Sequence, residues 1–115
     1  MRHAVVEGGR VGWKAATRLV APRLKMIAVK DVFWEKGARG WGLHDCPLGE
    51  GMVDWTWYSK ALAEGAFHGP VSVHLEYDIE GSTADEKRAR TLEAAARDLR
   101  FIRDRITQAY RESSF

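Results

Sequence analysis

Residues 46–55 read Cys46-Pro47-Leu48-Gly49-Glu50-Gly51-Met52-Val53-Asp54-Trp55, or CPLGEGMVDW. Proline and two glycines mark a sharply turning backbone, since proline fixes one dihedral and glycine reaches conformations closed to other residues. Asp54 fits a helix N-cap, its carboxylate accepting from the first free backbone amides. The stretch therefore ends a loop and starts a helix. That helix is predicted from about Trp55 to Glu64, with Trp55, Tyr58, Ala61 and Leu62 on one face. Gly65 is its natural stop.

Upstream, Leu24–Phe33 (LKMIAVKDVF) is a short apolar run rich in β-formers, which predicts a buried strand. Pro22 would end a preceding helix of roughly Val11–Val20. The segment Trp34–Gly51 carries five glycines and one proline and reads as an irregular loop. Downstream, after Gly69-Pro70, comes Val71–Ile79 (VSVHLEYDI), a second strand. Val71, Val73 and Leu75 point one way, and Ser72, His74 and Glu76 the other. A long last helix is predicted from about Thr83, where Thr83-x-x-Glu86 is a capping box. Leu92, Ala95, Ala96, Leu99, Ile102, Ile106 and Ala109 follow helical spacing and predict one buried stripe beside a solvated Arg/Asp/Glu face.

Strands alternating with helices imply an α/β fold with parallel pairing by right-handed crossovers. Ligand sites in such sheets lie beyond the carboxyl ends of the strands. The residues there are Lys30, Asp31 and the Trp-rich loop for one strand, and His74, Glu76, Tyr77 and Asp78 for the other.

The chain has 115 residues, 45% hydrophobic and 30% charged, which suits one soluble globular domain and not a disordered chain. Its net charge of +2 comes from interspersed signs and gives no footing for a nucleic-acid or membrane partner. No apolar run approaches the roughly 20 residues of a transmembrane helix. The N-terminus, MRHAVVEGGR, lacks the apolar core and cleavage site of a signal peptide. The single Cys46 forms no intrachain disulfide, so a cytoplasmic location is expected. It has no basic neighbour in sequence and is read as inert.

In this order, VKD at the end of one strand, PLGEG-x-x-D before a helix, and G-x-x-GPVSVHLEYD resemble the C-terminal third of a sugar phosphate isomerase/epimerase, a xylose isomerase-like TIM barrel. The resemblance runs from His3 through the last helix. It implies that residues 1–7 end barrel strand six, that the first strong strand is strand seven, and that VSVHLEY is strand eight. A complete barrel needs eight strand–helix units and roughly 250 residues. The fold expected here is thus a partial TIM barrel, about strands six to eight. Residues 1–115 would be its C-terminal portion, a fragment or a chain with a misassigned start. The exposed strand edges would invite pairing with another copy of the chain.

The same resemblance implies metal-assisted aldose–ketose isomerisation or epimerisation of a carbohydrate, with Mn, Mg or Zn polarising substrate oxygens. The strand-seven metal histidine of the family falls on Ala28, whose methyl group cannot ligate. The strand-eight glutamate aligns with His74, while Glu76 lies two residues on and faces the same way. Glu76 is the candidate catalytic group, and Glu76 with His74 the candidate metal pair. His3, Lys30, Asp31 and Trp34 are the candidate substrate contacts. Each has a plainer reading: His74 as a polar strand end, Lys30-Asp31 as an ion pair, His3 as a solvated terminus. Glu50 is expected to bond the amides of its own loop. Trp34 and Trp41 are candidates to stack on sugars, while Trp55 and Trp57 suit a core. A nuclease on the same barrel would need several metals and many histidines, and this chain has four. The remaining alternative is a non-catalytic, self-associating binding domain.

Overall fold

A computed structural model describes residues 2–113, with side chains described from Val11 onward. In chain order the elements are α1 (Arg2–Val20), β1 (Ile27–Val29), β2 (Asp31–Gly37), β3 (Gly40–Cys46), α2 (Trp55–Glu64), β4 (Val71–Val73) and α3 (Ala84–Glu112). A 3-10 turn at Ala21–Arg23 closes α1, with Pro22 in its first positions. Among the described residues no helix is long and apolar enough to cross a membrane.

The helix expected over Val11–Val20 is the part of α1 that follows a break at Gly9 (φ 62°). Residues 1–7, expected to end a barrel strand, are instead helical from Arg2. A helix pairs its backbone groups within itself, whereas a lone strand leaves them open. Among the described residues β1 has one ladder partner, β4. The expected three parallel strands are therefore two.

The predicted strand Leu24–Phe33 divides at Lys30. Its first half pairs in parallel with β4, in the register Ile27↔Val71, Ala28↔Ser72, Val29↔Val73. Bonds from Ile27 N to Pro70 O (3.1 Å) and from His74 N to Val29 O (3.0 Å) extend that ladder at both ends. Its second half opens an antiparallel hairpin with β3, running from Asp31↔Cys46 to Gly37↔Gly40. The segment read as an irregular loop is thus mostly a hairpin, turned through Ala38-Arg39. The predicted strand Val71–Ile79 shortens to Val71–Val73, although side chains through Glu80 keep alternating between half-buried and exposed.

The helix α2 starts and stops where its caps require. Asp54 Oδ1 accepts from Trp57 N at 3.0 Å, and Gly65 N donates to Ala61 O. The left-handed residue that redirects the chain is Ala66 (φ 53°) rather than Gly65. At the start of α3, Thr83 Oγ1 accepts from Glu86 N, while Glu86 reaches back to Ser82 N.

The core gathers around α2: Trp13 from α1, Ile27 and Val29 from β1, Leu48 and Val53 from the loop, Trp55, Tyr58 and Leu62 from α2, then Phe67 and Ile102. Trp13 meets Trp57 edge to face at 5.1 Å. The stripe predicted on α3 holds only in part. Ile102 and Ala109 are buried, but Leu92 is 67% and Leu99 41% exposed. The reason is length. At about 1.5 Å per residue, α2 spans roughly 15 Å and cannot cover a helix three times as long. The result is an α/β unit of two parallel strands with flanking helices, a partial barrel without closure.

Ile102→Ala should therefore cost about 2–5 kcal/mol in urea unfolding, by transfer and cavity terms together. Leu92→Ala should stay within about 0.5 kcal/mol of wild type. Equal losses at both positions would show that α3 is seated differently.

Candidate functional site

The parallel register sets Val29 beside Val73, so the residues that follow each strand emerge side by side. Lys30 follows β1, and His74 and Glu76 follow β4. Lys30 Nζ donates to Glu76 Oε1 at 2.7 Å. His74 Nδ1 lies 3.7 Å from the same oxygen. The Lys30 side chain is only 14% exposed, against 40% for Glu76 and 42% for His74. Three of the sequence-predicted residues thus meet at the carboxyl end of the strand pair. The side chain of His3 lies outside the described residues.

Asp31 does something else. It is fully buried, and both its oxygens accept from donors around it. Oδ1 accepts from Val32 N (2.9 Å) and Val53 N (3.2 Å). Oδ2 accepts from Gly49 N (3.0 Å), Gly51 N (3.2 Å) and Trp55 Nε1 (2.8 Å). Expected as a substrate contact, Asp31 instead gathers the PLGEG loop. The expectation that Glu50 binds the loop amides is corrected in the same way: Asp31 takes them, and Glu50 is exposed. The glycines of CPLGEGMVDW now have their reason. A Cβ on Gly51 would collide with the Asp31 carboxylate, and Gly49 has φ 90° with the Phe101 ring packed against it.

Trp34 is not at the strand ends but on the hairpin, 42% exposed, and Trp41 is 67% exposed. The pairs Trp34↔Leu43 and Lys36↔Trp41 put both indoles on one hairpin face, because side chains alternate along each strand. On the other face the Phe33 ring stacks on His44 at 5.3 Å, and His44 Nε2 lies 3.5 Å from Glu35. Trp55 is buried and Trp57 half-buried beneath Lys14 and Arg18, as core residues.

Sequence reasoning missed one polar cluster. Tyr77 OH donates to Asp98 Oδ2 at 2.8 Å, and Arg97 reaches both the Tyr77 hydroxyl (3.4 Å) and Asp98 Oδ1 (3.6 Å). Asp98 is 1% exposed. It ties the residue after Glu76 to α3. The available signal was its spacing, one turn before Ile102 on the buried face. Burial, then the hydrogen bond to Asp98, push the Tyr77 hydroxyl up to about 12, and burial does the same for Tyr58. The Cys46 thiol is also pushed up to about 12, first by burial and then by the negative charges of Asp31, Glu50, Asp45 and Asp98. This agrees with an inert thiol.

A divalent metal does not fit the described residues. Among them no group of three or more His, Cys, Asp or Glu side chains is placed to hold one. His74 and Glu76 supply two donors, and the Glu76 oxygen facing His74 already carries the Lys30 ammonium. An apolar cleft of about 340 Å³ lies elsewhere, between α1 and β1, with Thr17, Val20, Leu24, Met26 and Tyr58 among its walls. Its lining holds no carboxylate, imidazole or ammonium, so it is not where polar chemistry would occur.

A family model described as xylose isomerase-like TIM barrel matches residues 2–105. Comparison with curated proteins and comparison with solved structures each gave no match.

Asp31→Asn would turn one acceptor into a donor facing amide N–H groups. Hydrogen bonds to charged groups contribute about 1.5–3 kcal/mol each, so a loss on the order of 3 kcal/mol is expected, with a red shift of tryptophan emission as Trp55 is released. A loss under about 1 kcal/mol would remove Asp31 as the loop's organiser. A second expectation concerns pH. Cys46, Tyr58 and Tyr77 lose their protons at higher pH when folded than when unfolded, so above pH 9 the unfolded chain binds fewer protons. Stability should fall as pH rises from about 9 to 12. The fold keeps the Cys46 thiol protonated to higher pH than the unfolded chain does, so alkylation at pH 9 should be slow until the chain unfolds.

Proposed function

The chain belongs to the xylose isomerase-like TIM barrel family, and on that premise we propose that its parallel strand pair forms part of the carbohydrate site of a sugar or sugar phosphate isomerase/epimerase. The observation that carries this reading is the convergence of Lys30, His74 and Glu76 where the two strands end, with the Lys30–Glu76 pair at 2.7 Å. Residues 1–115 act as the C-terminal portion of a barrel, and the remaining strands come from outside them.

In this reading Glu76 removes the proton from the carbon beside the sugar carbonyl, and the enediol that forms is the common intermediate. Return of that proton to the former carbonyl carbon, with a proton passing from the neighbouring hydroxyl oxygen to the former carbonyl oxygen, gives the aldose–ketose isomer. Protonation from the opposite face, which gives the epimer, needs a second acid from the strands outside these residues. Substrate and product are isomers, so no other reactant is consumed. Lys30 faces the developing charge on oxygen and holds Glu76 in place. Where a divalent metal serves relatives, it polarises the substrate oxygens. Trp34, four residues beyond Lys30 on the hairpin, offers a flat apolar face to the ligand, while Trp41 lies farther out toward the hairpin turn.

A second reading is a binding domain without turnover. It is favoured by the ammonium already paired with Glu76 and by the methyl group of Ala28 where the resemblance expects a metal histidine.

One experiment separates the two. Saturation-transfer NMR with a panel of aldoses, ketoses and their phosphates in D2O reads binding and exchange together. The isomerase reading expects binding with deuterium entering the carbon beside the carbonyl, lowered about 100-fold or more by Glu76→Gln. It also expects binding about five-fold weaker in Trp34→Ala. Binding with no deuterium uptake, in the chain alone and in a reconstituted full barrel, leaves the binding-domain reading. No binding in either overturns both.

A further inference from the structure

We propose that Lys30 takes, at Glu76, the place that a divalent cation takes in a metal-assisted sugar site, so that this site engages its ligand through an ammonium–carboxylate pair. The inference rests on the sugar-site reading for the class of ligand alone. The misfit with a metal is argued from the described residues of this chain and not from the sugar reading.

The Lys30 Nζ–Glu76 Oε1 distance of 2.7 Å is that of a charge-assisted hydrogen bond. The lysine side chain is shielded, 14% exposed, so its ammonium is directed rather than free in solvent. Any cation shared between His74 and Glu76 would sit against Glu76 Oε1, the oxygen 3.7 Å from His74 Nδ1. That is the oxygen the ammonium already holds, and like charges at that range repel. Ala28, two residues before Lys30 and on the same side of the strand, brings a methyl group and no donor. No third ligand stands nearby among the described residues. Among the described residues the donor set is thus too small for a dication, and its carboxylate already faces the Lys30 ammonium.

An ammonium still provides what a carbonyl reaction asks of a cation, namely positive charge and donors aimed at oxygen. Lysine has three N–H donors on a mobile stem. One goes to Glu76, and the others suit the hydroxyl and carbonyl oxygens of a polyhydroxylated carbonyl compound. The ligand is held by hydrogen bonds instead of coordination, and Glu76 keeps its negative charge.

The test is an Mn2+ titration of the full chain, read by electron paramagnetic resonance without sugar. Wild type, Glu76→Gln, Lys30→Met, Lys30→Arg and Lys30→Met/Glu76→Gln are compared, each checked for fold by circular dichroism. Wild type and Glu76→Gln should titrate alike. Lys30→Met should take up Mn2+ about tenfold more tightly, since imidazole and carboxylate both ligate it. The double variant should lose that gain, and Lys30→Arg, which keeps the charge, should resemble wild type. Wild-type uptake abolished by Glu76→Gln would overturn the proposal, as would Lys30→Met with uptake unchanged. If Lys30→Met fails to fold, wild type against Glu76→Gln decides: coincident curves support the proposal and Glu76-dependent uptake overturns it. Sugar binding is scored separately by NMR, so loss of the carbohydrate reading and loss of the metal-replacement reading are distinguishable.

Discussion

A buried carboxylate with five donors organises this molecule. Taking the charge of Asp31 out of water is costly, and that cost is met only because both oxygens are saturated by Val32, Val53, Gly49, Gly51 and Trp55. Those donors come from the start of the hairpin, from the loop and from the first residue of α2. One side chain thereby fixes how the loop returns to the strand and where the next helix begins. Leu48, Val53 and Trp55, held by the same loop, then enter the core against Tyr58 and Leu62.

The position of Asp31 also governs its neighbour. With residue 31 pinned inward, alternation along the extended chain turns Lys30 the other way, toward the end of β4. The parallel register does the rest by setting Val29 beside Val73. Tyr77, bonded to Asp98, ties the residue after Glu76 to α3. The Lys30–Glu76 pair is therefore supported from both strands. Only the lysine of the pair is shielded, since Glu76 remains exposed.

Apart from the first half of α1, read as the end of a strand, the helical elements were legible in the sequence because their signals are local. The cap at Asp54, the stop near Gly65, the box at Thr83 and the breaking effect of Pro22 each act within one turn. The meeting of β1 and β4 was legible from the alternation of strands and helices. The hairpin was not: glycines at 37, 40 and 42 depress strand propensity, and the Ala38-Arg39 turn lacks the Asn-Gly or Asp-Gly pattern that marks tight hairpins. The exposed Leu92 and Leu99 were misread because periodicity says which residues share a face and not how far the covering element reaches. Lys30, His74 and Glu76 could be named from their places at strand ends. Their distances could not.

The sequence by itself determined where α1 stops, where α2 starts and stops and where α3 starts, which residues alternate along β4, and the family to which the chain belongs, since each rests on spacing along the chain. Only the tertiary structure decided that Asp31 faces inward to the loop amides, that Glu50 faces solvent, and that Lys30 lies on Glu76. The physical reason is that a carboxylate can be satisfied by any donor that reaches it. Which donors reach it depends on contacts between residues some 20 to 46 positions apart, set by packing and by pairing register, and no local rule carries that information.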